Sequence, residues 1–92
     1  MDSQTAILTP AQLTHFADFL DDSIKLLRGK GRQMREAVTS ARDVWKDAKY
    51  DTFQLQLDRC MEDLEKFNRI GVRYAEFLRE KANLANKYLY RR

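Results

Sequence analysis

The sequence predicts an all-α protein, an antiparallel helical hairpin of which two copies form a four-helix bundle. Three observations carry this expectation. Apolar residues recur in alternating steps of four and three along both halves of the chain, which is the spacing of a helix face and not of a strand. Helix breakers are scarce, with one Pro and three Gly among 92 residues. Midway, the stretch from Val44 to Phe53 interrupts the rhythm and places Asp47, a residue type that accepts hydrogen bonds from the free amides of a first helical turn, where a second helix would begin.

The composition agrees with that class. Hydrophobic residues make up 43% and charged residues 34%, too apolar for a disordered tail and typical of a charged, heptad-patterned helical chain. A single domain of this size buries only about 60–65% of its unfolded surface, so its core is thin and a partner would add to it. The net charge of +3 and pI near 9.2 are a mild excess of base, short of a nucleic-acid signature. The single cysteine, Cys60, excludes an intramolecular disulfide and a cysteine-based zinc site, and it reads as a small buried thiol. No apolar run approaches the roughly 18 residues of a membrane span, and Met1-Asp2-Ser3-Gln4 lacks the basic-then-apolar pattern of a signal peptide. The expectation is a cytoplasmic protein without membrane insertion, for which any export would use a signal-peptide-independent route.

Taken in order, residues 1–8 form a frayed start, and structure begins at Thr9-Pro10-Ala11-Gln12. Thr9 supplies a capping hydroxyl, Pro10 sits where a missing N–H costs nothing, and Gln12 can close a capping box. Leu8 and Leu13 occupy the two positions of a hydrophobic staple. The first helix is expected from about Pro10 to about Arg42, with a seam of Leu13, Ala17, Leu20, Ile24, Leu27, Gly31, Met34, Val38, Ala41 and Trp45. Gly29 and Gly31 each cost about 1 kcal/mol relative to Ala within a helix, and a break there would give three helices. The seam keeps its phase across them, which favours one helix. Gly31, on the seam, would let another backbone approach; Gly29 has no such role.

The second helix is expected from about Ala48 to about Tyr88. Its seam reads Phe53, Leu57, Cys60, Leu64, Phe67, Gly71, Tyr74, Leu78, Ala85 and Tyr88, interrupted by Lys81. Ile70, Phe77 and Leu84 flank one side at intervals of seven, and Met61, Ala75, Ala82 and Leu89 the other. One facing helix cannot cover that width. An isolated hairpin would leave Phe16, Phe19, Leu26, Ile70, Phe77 and Leu84 wet, so these six are the expected interface of a homodimer, or of a pairing with a related hairpin chain.

Few residues suggest chemistry. Trp45, the single tryptophan, either plugs the end of the bundle or docks a partner, with Asp47 as the cap beside it; these two form the candidate partner-binding site. Lys25, Arg28, Lys30, Arg32 and Arg35 are either a solvated basic helix face or an anion-binding patch, and no aromatic residues interleave with them as a stacking platform needs. His15 has no second ligand at metal spacing and reads as a surface residue, and Tyr50, Tyr74, Tyr88 and Tyr90 as interface or core-edge residues. One His, one Cys and scattered carboxylates on a convex rod offer no concave site for a nucleophile and its base, so neither an enzyme nor a cofactor is expected. An interaction module leads, and a nucleic-acid-associated helical dimer using residues 25–35 is the alternative.

Two heptad-patterned helices in a chain near a hundred residues, with Val44, Trp45 and Ala48 at the turn and Phe53 in the second helix, resemble the WXG family of early-secreted-antigen-like hairpins. The chain departs from that pattern in having Trp45-Lys46-Asp47 where the family has Trp-x-Gly; Asp and Gly are both accepted at helix N-caps. The family's export signal, a Tyr followed four residues later by an acid, is missing, since Leu78 follows Tyr74 and Arg92 follows Tyr88. The resemblance implies a dimeric hairpin acting as adaptor or cargo, with a secretion-system component as a further partner.

Overall fold

The computed structural model describes residues 9–90, with the backbone alone for Leu89 and Tyr90, as two helices, α1 (Pro10–Ala41) and α2 (Ala48–Tyr90). No strand occurs among the described residues. Helix α1 starts with both halves of the capping box formed. Gln12 N–H donates to the Thr9 hydroxyl at 3.1 Å, and Thr9 N–H donates to the Gln12 amide oxygen at 2.8 Å. Leu13 is buried, whereas its staple partner Leu8 lies outside the described residues. The helix continues unbroken through Gly29 and Gly31.

At its C-terminus, tightened hydrogen bonds from Arg42 to Thr39 and from Asp43 to Ser40 wind down the last turn, and Trp45 N–H donates to the Ala41 carbonyl at 2.8 Å. Helix α2 then runs back along α1. Its 43 residues exceed the 32 of α1, and the hairpin measures 69 × 28 × 16 Å. A thickness of 16 Å is one layer of helices, so each helix is covered by its neighbour on one face alone.

The contact between the helices differs in one respect from the expected seam. On α1 the buried residues Leu13, Ala17 and Ile24 follow the expected line, with Leu20, Gly31 and Val38 half-buried, although Leu27 and Met34, expected in the same seam, are exposed. On α2 the inward residues are Leu57, Met61, Leu64, Asn68, Gly71, Ala75, Leu78, Ala82 and Ala85, an uninterrupted four–three series. Met61, Ala75 and Ala82, expected on a flank, are therefore part of the inner seam, and Cys60, Phe67, Tyr74 and Tyr88, expected in it, are exposed.

Size explains the exchange. The inner seam is built from Ala17, Gly71, Ala75 and Ala82, which let the backbones approach, whereas a seam of Phe67, Tyr74 and Tyr88 would hold them apart. Ile24 makes the closest use of that space: a Cβ added at Gly71 would lie 2.7 Å from its Cδ1. A Cβ at Gly31 would meet Met61 Sδ at 3.2 Å, while one at Gly29 would meet nothing nearer than the Arg32 guanidinium at 3.9 Å.

Candidate functional site

The two sides of the groove between α1 and α2 are chemically opposite. A helix turns about 100° per residue, so positions immediately after a seam residue face one side and positions immediately before it face the other. The ion pairs identify the first side. Arg28, which follows Leu27, makes a two-pronged contact with Glu65, which follows Leu64, through Nε to Oε1 at 3.0 Å and Nη2 to Oε2 at 2.7 Å. Arg79, which follows Leu78, reaches Asp18 at 2.6 Å and Asp21 at 2.7 Å, which follow Ala17 and Leu20. All three contacts bridge the helices on the same side.

The opposite side carries the residues that precede the seam. Phe16, Phe19 and Leu26 come from α1, and Phe67, Ile70, Tyr74, Phe77 and Leu84 from α2. The six residues expected at a dimer interface, Phe16, Phe19, Leu26, Ile70, Phe77 and Leu84, are all in this set, and each is between 47% and 64% exposed in the hairpin. Scattered exposed apolar residues are ordinary, but a contiguous face of this extent marks an interaction surface on a small protein. The α1 part and the seven-residue repeat of Ile70, Phe77 and Leu84 are legible in the sequence, whereas Phe67 and Tyr74, expected in the inner seam, lie with them on this outer side.

The polar side holds a shallow cleft of about 380 Å³ whose floor includes Leu27, Gly31, Leu64 and Asn68 and whose rim carries Arg28, Arg32, Arg35, Glu62 and Glu65. Its hydrogen bond to Arg28 holds the Glu65 carboxyl below the usual carboxylate range, partly opposed by burial and supported by Asn68 and Arg69. The Arg28 guanidinium is correspondingly raised by Glu65, and that of Arg79 by Asp18 and Asp21. Of the expected basic patch, Arg28 is thus engaged within the hairpin, while Lys25, Lys30, Arg32 and Arg35 are exposed. Asn68 is fully buried, and its Oδ1 accepts no hydrogen bond.

At the hinge, Trp45 and Asp47 are joined. The indole Nε1 donates to Asp47 Oδ1 at 2.9 Å, and the same oxygen accepts from the backbone amides of Lys49 at 2.9 Å and Tyr50 at 3.3 Å, capping α2. The Trp45 ring meets Tyr50 edge-on at 5.4 Å and lies tilted over Phe53 at 5.8 Å. Tyr50 is buried, donates its hydroxyl to the Val38 carbonyl at 2.8 Å, and carries the Arg42 guanidinium over its ring at 5.8 Å. Trp45 itself is half-buried beside an open depression lined by Arg42, Lys46, Asp47, Ala48 and Asp51. It therefore contributes to the hinge packing and still presents part of its ring.

His15 is exposed, and no group of three or more His, Cys, Asp or Glu residues able to hold a metal ion occurs among the described residues. No helix among them is long and apolar enough to cross a membrane. Comparison with protein-family models, with curated proteins and with solved structures finds no match to this chain.

Proposed function

We propose that the chain is a non-catalytic interaction module that works as a homodimer, two hairpins closing into a four-helix bundle, and that its hinge ends present Trp45 to a further partner. The observation that carries this is the apolar face of α1 and α2, which runs from Phe16 to Leu26 and from Phe67 to Leu84 over the half of the hairpin away from the hinge, opposite the ion-paired side. The resemblance of Val44, Trp45, Ala48 and Phe53 to WXG-type hairpins adds the role: an adaptor or cargo of a secretion apparatus, reached without a signal peptide.

Solution mass tests the reading. Light scattering at micromolar concentration is expected to give twice the 10.9 kDa of the chain. Phe77→Asp, which forces a charge into the apolar contact, is expected to give a monomer. A monomeric wild type, or a Phe77→Asp variant that dimerises normally, overturns the interface.

A further inference from the structure

The outward face of α2 has a regular structure of its own. Cys60, Asp63, Phe67, Ile70, Tyr74, Phe77, Lys81 and Leu84 follow steps of three and four without a slip, each one residue ahead of the inner seam. All eight are exposed. This is a second heptad seam, and it carries two charges, Asp63 and Lys81. Neither takes part in the ion pairs found within the described hairpin.

Resting on the dimer reading above, we infer that this seam pairs with itself in antiparallel orientation about a two-fold axis level with Val72, so that Asp63 of each copy meets Lys81 of the other. In that register the apolar layers also match. Phe67 faces Phe77 of the second copy, Ile70 faces Tyr74, and Cys60 faces Leu84. Sliding one heptad either way sets Asp63 against Tyr74 or Tyr88 and Lys81 against Gln56 or Ile70, leaving both charges in the interface unmatched. Charge complementarity therefore selects one register.

It also selects the occupant. A seam whose acid and base lie nine residues to either side of its centre is complementary to its own reversed copy. The α1 face fits the same axis. The Ile24–Gly71 contact puts Ile24 near the level of Val72, with Phe16 and Phe19 on one side of that level and Leu26 on the other, so the axis carries the phenylalanines of one copy towards Leu26 of the second. The two hinges then lie at opposite ends of the bundle.

Charge exchange provides the test, because like charges facing each other oppose association. Lys81→Asp sets acid against acid at two symmetric places, and Asp63→Lys sets base against base. Each variant alone is expected to raise the dimer dissociation constant at least tenfold with helical content unchanged. An equimolar mixture of the two, or the Asp63→Lys/Lys81→Asp double variant, is expected to return it to within about threefold of wild type.

Cross-linking reads the orientation independently. In wild type the two Cys60 thiols are separated by about 36 Å along the axis and a short bis-thiol reagent yields no covalent dimer, whereas Leu84→Cys does. A wild-type dimer that cross-links through Cys60, or one indifferent to the charge exchange, overturns the register while leaving dimerisation intact. A monomeric wild type overturns both.

Discussion

The Trp45 indole and two backbone amides of α2 share one oxygen of Asp47, so the residue that caps the second helix is also the one that fixes the aromatic side chain at the hinge. From sequence alone the two residues have separable roles, a cap and an anchor; in the structure the cap holds the anchor. Asp47→Ala is expected to cost about 1 kcal/mol of stability through the lost cap and to release the indole as well. Trp45 is the single tryptophan, so its fluorescence reports this directly. A changed emission maximum is expected in Asp47→Ala and an unchanged one in Asp47→Asn, which keeps the accepting oxygen. Identical spectra for Ala and wild type would show that the hydrogen bond does not position the ring.

Truncating Trp45 separates docking from packing. Part of the ring is covered by Tyr50 and Phe53, so Trp45→Ala is expected to lower stability by less than the 3–5 kcal/mol of a fully buried large-to-small change. As a docking anchor, it is expected to leave a folded hairpin by circular dichroism that no longer retains a partner captured by wild type from the native host. A variant that still retains that partner refutes the docking role.

The glycines of the two helices are expected to respond oppositely to alanine. Gly29→Ala meets only the Arg32 guanidinium, at an ordinary contact distance of 3.9 Å, and is expected to gain about 1 kcal/mol from helix propensity. At Gly71 the new methyl would press on Ile24 Cδ1, and an overpacking cost of about 1–3 kcal/mol exceeds the same gain. Ile24→Val removes that methyl, so Gly71→Ala is expected to be less harmful in the Ile24→Val background than alone. Additive thermal-denaturation values across the cycle would rule out this contact as the reason for the glycine.

Much of the fold was legible because its signals are local. The Thr9 and Gln12 capping box, the unshifted phase across Gly29 and Gly31, and Asp47 at the start of α2 are each written within a few residues. The facing surface of α2 was not, because two apolar heptads run one residue apart on the same helix and hydropathy favours the wrong one. Phe67 and Tyr74 look more like core than Asn68 and Ala75. Lys81 carries the one local sign of the true register: a lysine suits an outward position, and the small Ala82 beside it suits the seam. The ion pairs that define the polar side span 37 to 61 residues, and no short-range pattern announces them.

Acid is expected to loosen the hairpin through Glu65. Its carboxyl titrates below its unfolded value because Arg28 favours the charged form, so the contribution is fully present above the unfolded carboxylate range and is lost as pH falls through the lower, folded value. Both partners are part-exposed, so the effect is modest and screened by salt. Thermal melts from neutral pH down to about pH 3 are expected to show a shallower decline for Glu65→Gln than for wild type. Equal slopes would mean that the pair contributes nothing to stability.

Asn68 occupies a core position of the inner seam, between Leu64 and Gly71 on the α2 series, with an acceptor oxygen that is buried and unpaired. A buried polar atom left without a partner costs about 1–3 kcal/mol, whereas an apolar side chain of similar size in the same place does not incur that cost. Against this stands the support Asn68 gives the ionised Glu65 beside it, which an apolar replacement removes. Glu65 keeps its two-pronged contact with Arg28 in either case, so the loss is the smaller quantity. Asn68→Leu is therefore expected to raise stability by about 1 kcal/mol, read as a higher midpoint in urea with an unchanged slope. Asn68→Asp is expected to do the reverse, because it buries a charge beside the Glu65 carboxylate. A destabilised Asn68→Leu protein would show that the amide is satisfied in solution, by water or by a rotated Arg28, and would make the polar cleft a hydrated part of the seam.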